Sequence, residues 1–125
     1  MIRFRFLLLI FCVGLVFSRC DFFYPSYYID IKVTFKSADQ GEAEVYLDGE
    51  FIDTYNKNRT QVTLGKYEPG DHWITLEITK SGTLDEFWVK WAQDDEFIRY
   101  TIERWNDLGA VSEGDTISKT FSIPH

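Results

Sequence analysis

The chain has 125 residues, with 13 Lys and Arg against 20 Asp and Glu, and is too short for a multidomain enzyme, since one domain alone usually takes about 100–150 residues. Arg3, Arg5 and Arg19 all fall in the first 19 residues. Ten basic residues are left beyond them, and a net charge of about −10 opposes binding of nucleic acid phosphate, which clustered cations drive.

The first 19 residues read as a signal peptide. A basic start, MIRFR, precedes the 12-residue apolar run Phe6–Phe17, too short for a membrane span of about 20 residues but suited to an export signal. The stretch Leu15-Val16-Phe17-Ser18-Arg19-Cys20 resembles the lipobox of bacterial lipoproteins. The resemblance implies that Cys20 is acylated and anchors the protein in the cell envelope, on the outer membrane or the periplasmic face. Arg19 stands where that motif carries a small residue, so ordinary secretion after cleavage at Ser18 is the alternative. Cys12 lies inside the leader, so no disulfide within the mature chain is expected.

Residues 20–28, CDFFYPSYY, read as the tether between anchor and domain, and residues 29–125 as a single domain. Ile29, Ile31, Val33 and Phe35 alternate with Asp30, Lys32, Thr34 and Lys36, the period of a half-buried strand. Ala43–Leu47 and Glu50–Thr54 flank Asp48-Gly49, a pair suited to the positive φ angles of a type I′ hairpin. Thr60–Leu64 is a short strand, closed off by Gly65–Gly70. His72–Thr79 carries Ile74, Leu76 and Ile78 on one face. Glu86–Gln93 and Phe97–Trp105 form a hairpin across Asp94-Asp95-Glu96, Gly109–Gly114 is a surface loop, and Thr116–Ile123 ends the chain. Lys119 falls in phase with Ile117, Phe121 and Ile123. About seven or eight strands with frequent turns predict an all-β, antiparallel sandwich.

Four segments, Ala43–Ile52, Val62–Leu64, Pro69–His72 and Ile74–Glu77, are similar to a PEGA-type domain. In that family a V-Y-x-D-G hairpin precedes an L-x-P-G-x-H-x-I-x-L strand entry; Ig-like modules reuse such turns. The resemblance implies a non-enzymatic cell-envelope module and names no ligand. Asp53 stands where the family has a small residue, and about 45 more residues follow in β pattern, so a larger sandwich containing this hairpin pair is expected.

Chemistry is sparse. With only His72 and His125 beside the two cysteines, a metal site of imidazole and thiolate lacks ligands. His72 reads as a structural strand-entry residue. No nucleophile elbow, C-x-x-C or phosphate loop is present, and no catalytic residue or cofactor is expected. The tryptophans offer the main candidate ligand-binding residues. If Ile74, Phe87 and Ile102 point inward, alternation sends Trp73, Trp88 and Trp105 outward, and exposed indoles mark binding surfaces.

These readings converge on a cell-envelope lipoprotein acting as a non-enzymatic binding or structural module. Its expected partners are a membrane through Cys20 and a protein or glycan. The alternatives are a carbohydrate-binding module using the three tryptophans and a small hydrolase with paired carboxylates. Asn58-Arg59-Thr60 is a glycosylation sequon; its use would mean a eukaryotic host and exclude the bacterial lipoprotein reading.

Overall fold

A computed structural model describes residues 26–93, 99–106 and 108–125. The leader, Cys20 and Asp94-Asp95-Glu96 lie outside the described residues. Those described form nine strands: β1 (Tyr27–Phe35), β2 (Glu42–Leu47), β3 (Glu50–Tyr55), β4 (Gln61–Tyr67), β5 (Gly70–Lys80), β6 (Gly82–Gln93), β7 (Thr101–Arg104), β8 (Ala110–Val111) and β9 (Thr116–Ile123). They build two antiparallel sheets. The first runs β4-β1-β6-β7, with β8 also on β6, and the second runs β3-β2-β5-β9. The sheets pack face to face, as the alternating sequence predicts for a sandwich.

Period-two alternation supplies the core. On β1, Ile29, Ile31 and Val33 are fully buried, and on β6 Phe87, Val89 and Trp91 lie beside them. Ala43, Val45 and Leu47 of β2, Ile74, Leu76 and Ile78 of β5, and Phe121 and Ile123 of β9 fill the opposing layer. Each such large side chain removed from water contributes about 1.5–3 kcal/mol before conformational entropy is subtracted.

Four details depart from the sequence reading. Strand β1 starts at Tyr27, so Tyr27 and Tyr28 belong to the sheet and not to the tether. Strand β4 continues through Gly65 to Tyr67, because β1 pairs with it along that whole length, Tyr27 opposite Tyr67. Strand β8 lies inside the expected loop at 109–114. The pairings of β7 and β8 with β6 differ by one residue in register. The fourth concerns phase. Ile102 pairs with Lys90 and Arg104 with Trp88, both on the outer face, while the Trp105 amide donates to the Phe87 carbonyl. Trp105 therefore turns inward and packs on the Phe87 ring, centroids 4.6 Å apart.

The β2–β3 turn has φ of 52° at Asp48 and 85° at Gly49, the positive pair a type I′ turn requires. This turn is tied to β5. Asp48 Oδ1 accepts from the Trp73 amide at 3.0 Å, and Asp48 Oδ2 lies 2.6 Å from His72 Nδ1. The other ring nitrogen of His72 donates to the Glu68 carbonyl at 2.8 Å. His72 is buried, stacked on Phe121 and edge-on to Tyr67, while Phe121 stacks in turn on Trp91. A column of four rings thus closes one end of the sandwich. Partial burial, with the Asp48 and Glu50 carboxylates adding to it, raises the Tyr67 hydroxyl above its ordinary value.

Tyr55 joins the sheets at the edge. Its side chain is fully buried, and its hydroxyl donates to the Ile31 carbonyl at 2.8 Å. Burial, reinforced by the Asp53 carboxylate, raises this phenol well above its ordinary value, against the smaller opposing effects of the Val62 amide and Arg59. The fold therefore favours neutral Tyr55. That stabilisation is complete below the unfolded value of about 10 and is lost as pH rises past it, because the unfolded chain releases the proton first. Tyr55→Phe should cost about 1–2 kcal/mol at neutral pH and flatten the decline above about pH 10; urea melts across pH 7–11 test both, and an unchanged alkaline decline would refute the assignment.

The open edges carry inward-facing charge. Asp53 of β3 sits opposite Val45 and pairs with Arg59 at 3.0 Å. Lys119 of β9 sits opposite Ile74. Charges so placed discourage a second molecule from adding a strand.

Candidate functional site

The outer face of the first sheet holds the candidate site. Alternation turns Tyr28, Asp30 and Lys32 of β1 and Trp88, Lys90 and Ala92 of β6 away from the core, and register then sets them in rows. Tyr28 lies opposite Ala92, Asp30 opposite Lys90 and Lys32 opposite Trp88. Thr63 of β4 flanks Asp30. Tyr100 immediately precedes Thr101, which pairs with Trp91, and so falls in the row of Ala92. The small Ala92 is thereby framed by two tyrosines, roughly 10 Å apart at two strand spacings. Tyr28 is 41% and Tyr100 59% exposed. A side chain on Gly65 would reach the Tyr28 ring, its Cβ falling 3.1 Å from Cε1, so this glycine gives the ring its bed on β4.

A cleft of about 300 Å³ lies here, lined by Tyr28, Asp30, Thr63, Lys90, Ala92 and Tyr100 together with Gln93. Its volume is at the lower end of the ~300–1,000 Å³ usual for small-molecule sites. Lys90 Nζ stands 3.4 Å from Asp30 Oδ2 and 5.0 Å from the Tyr100 ring centre. The second carboxylate oxygen, Asp30 Oδ1, is buried and meets no hydrogen-bond donor among the described residues. An unpaired buried acceptor costs about 1–3 kcal/mol.

The three tryptophans expected on the surface do not share one. Trp73 projects from the second sheet and is 46% exposed. Trp88 does face outward on the first sheet, yet it is only 8% exposed. Lys32, Lys90 and Arg104 lie over its ring at 5.8–5.9 Å, and its Nε1 donates to Glu86 at 3.2 Å. Long cationic side chains cover an indole in this way through both their stems and their charge. Trp105 is on the inner side, as described above. The exposed rings beside the cleft are instead Tyr28 and Tyr100, and the residue signalling Tyr28 was its phase with Asp30 and Lys32.

Other candidates take structural or peripheral places. His72 is held in the ring column, and exposed His125 lines, with Tyr27, Arg99 and Pro124, an adjoining cleft that shares Ala92, Gln93 and Tyr100 with the first. On the second sheet, the Tyr46 hydroxyl donates to Glu44 at 2.8 Å and faces Glu77, and these contacts, led by the Glu44 hydrogen bond, push it up to about 12. Among the described residues no three His, Cys, Asp or Glu side chains converge as metal ligands, and no helix is long and apolar enough to cross a membrane.

The fold and cleft define an antiparallel β-sandwich with a small aromatic-walled recess on one outer face. Compared with known proteins, the chain matches no family model, no curated protein and no solved structure.

Proposed function

We propose that the protein is a non-enzymatic binding module of the cell envelope, exported by residues 1–19, held at a membrane by lipid on Cys20, and binding its ligand on the outer face of the β4-β1-β6-β7 sheet. The observation that carries the binding reading is the pair of exposed tyrosines on either side of Ala92 that border the cleft. Leaving two large rings in water forgoes burial worth on the order of 1–2 kcal/mol each, and a recess framed by such rings is characteristic of ligand surfaces. Sequence features support the envelope location: the leader, the lipobox-like stretch before Cys20 and the PEGA-like hairpin.

Two experiments test this reading. Mass analysis of the mature N-terminus should find acylated Cys20; an unmodified chain beginning at Arg19 would refute the anchor. For the binding face, the Cys20→Ser protein, which has no acylation site, should co-sediment with isolated envelopes, and adding Ala92→Leu should release it. Leucine fills the recess from an outward position and should change stability by no more than about 0.5 kcal/mol. Retention unaffected by Ala92→Leu would place the binding surface elsewhere.

A further inference from the structure

We infer that the recess between Tyr28 and Tyr100 takes a pyranose ring of a neutral saccharide, an assignment of ligand class that rests on the binding reading above. The argument begins with charge. Asp30 and Lys90 both line the cleft, 3.4 Å apart. A cationic ligand would meet the Lys90 ammonium, which already occupies the face of Tyr100, the place an aromatic cage offers to a cation. An anionic ligand would meet the negative charge of the Asp30 carboxylate, which also lines the cleft. A neutral polyhydroxyl ligand is repelled by neither and can use both.

Its hydroxyls fit the polar groups present. One can donate to the Asp30 carboxylate where that side chain lines the cleft. A neighbouring hydroxyl oxygen accepts from the Lys90 ammonium, and the Thr63 hydroxyl can serve in either role. The C–H faces of a pyranose are apolar and lie flat on aromatic rings, so Tyr28 provides the stacking wall, Ala92 a floor without projecting atoms, and Tyr100, with Lys90 over its ring, the opposite rim. The size agrees: about 300 Å³ admits one or two sugar rings and leaves the rest of a chain in solvent. The open cleft thus fits an internal or terminal unit of a longer glycan.

The test titrates the mature protein with soluble tetrasaccharides built from glucose, N-acetylglucosamine, mannose or galactose, with choline and inorganic phosphate as charged probes, and follows amide resonances by NMR. The expected result is that at least one tetrasaccharide shifts Tyr28, Thr63 and Tyr100 together, that Tyr100→Ala and Ala92→Leu each weaken it about tenfold or more, and that Trp73→Ala binds as wild type. Shifts with choline or phosphate in place of every sugar would overturn the ligand class, as would no shift with any tetrasaccharide. Loss of sugar binding in Trp73→Ala with Tyr100→Ala unaffected would overturn the location. If sugars fail while Ala92→Leu still releases the Cys20→Ser protein from envelopes, the saccharide inference falls and the binding face stands; if both fail, the binding reading falls too.

Discussion

Asp48→Ala should destabilise the domain by about 2–3 kcal/mol, lowering the melting temperature of a domain this size by roughly 10–20 °C. Three losses combine. The Trp73 amide loses its side-chain acceptor, 3.0 Å away, and His72 loses the carboxylate 2.6 Å from Nδ1. His72 is buried, so its nitrogen cannot turn freely to water, and an unpaired buried polar group costs about 1–3 kcal/mol. Asp48 itself is partly exposed, so water recovers some of the rest. The third loss is conformational: alanine at φ 52° costs about 1 kcal/mol or more, where aspartate and asparagine are tolerated and glycine is free.

A substitution series separates these contributions. Asp48→Asn keeps the turn geometry and an oxygen for the Trp73 amide, and loses the charge beside His72. Asp48→Gly keeps only the backbone conformation. Stability measured by urea unfolding should fall in the order wild type, Asn, Gly, Ala. Equal stability of the Asn and Ala variants would show that neither the turn conformation nor the amide contact matters.

This turn was among the most legible features of the sequence, because both its causes are local: an Asp-Gly pair between two alternating segments. Ile29, Ile31 and Val33 were legible for a similar reason, since the period of one strand names its buried face. Trp105 was not. Strand β7 spans only Thr101–Arg104, too short for alternation to fix a phase, and β6 decides that Ile102 faces outward. Trp88 shows a second limit: its outward phase was readable, but its burial depends on Lys32 and Arg104, brought over the ring by two different strands. The candidate site is of the same kind. Tyr28, Ala92 and Tyr100 are scattered along the chain, and only the registers of β1 on β6 and β6 on β7 put them in one row.

The second large effect concerns packing that no local pattern reveals. Gly41→Ala should destabilise by about 2–3 kcal/mol, in the range of buried overpacking. A Cβ on Gly41 would fall 2.2 Å from Cδ1 of Phe35 and 2.6 Å from Cγ and Cε1, inside the ring's own volume. Gly82 completes the same bed, since its Cβ would lie 2.9 Å from Gly41 Cα and 3.0 Å from Phe35 Cδ1. The ring sits here because the register of β1 on β6 shifts between Thr34 and Phe35, leaving Phe35 opposite Leu84 at the strand end. A ring caught between two backbones can yield only by leaving its place in the core. Phe35→Ala alone should cost about 2–3 kcal/mol, since the ring is only partly buried. Contacting residues do not add, so Phe35→Ala with Gly41→Ala should be no less stable than Phe35→Ala alone, the new methyl entering space the ring vacated. Urea unfolding of the four proteins measures this coupling directly. Additive costs in the double variant would mean that the methyl on Gly41 strains the backbone and not the Phe35 ring.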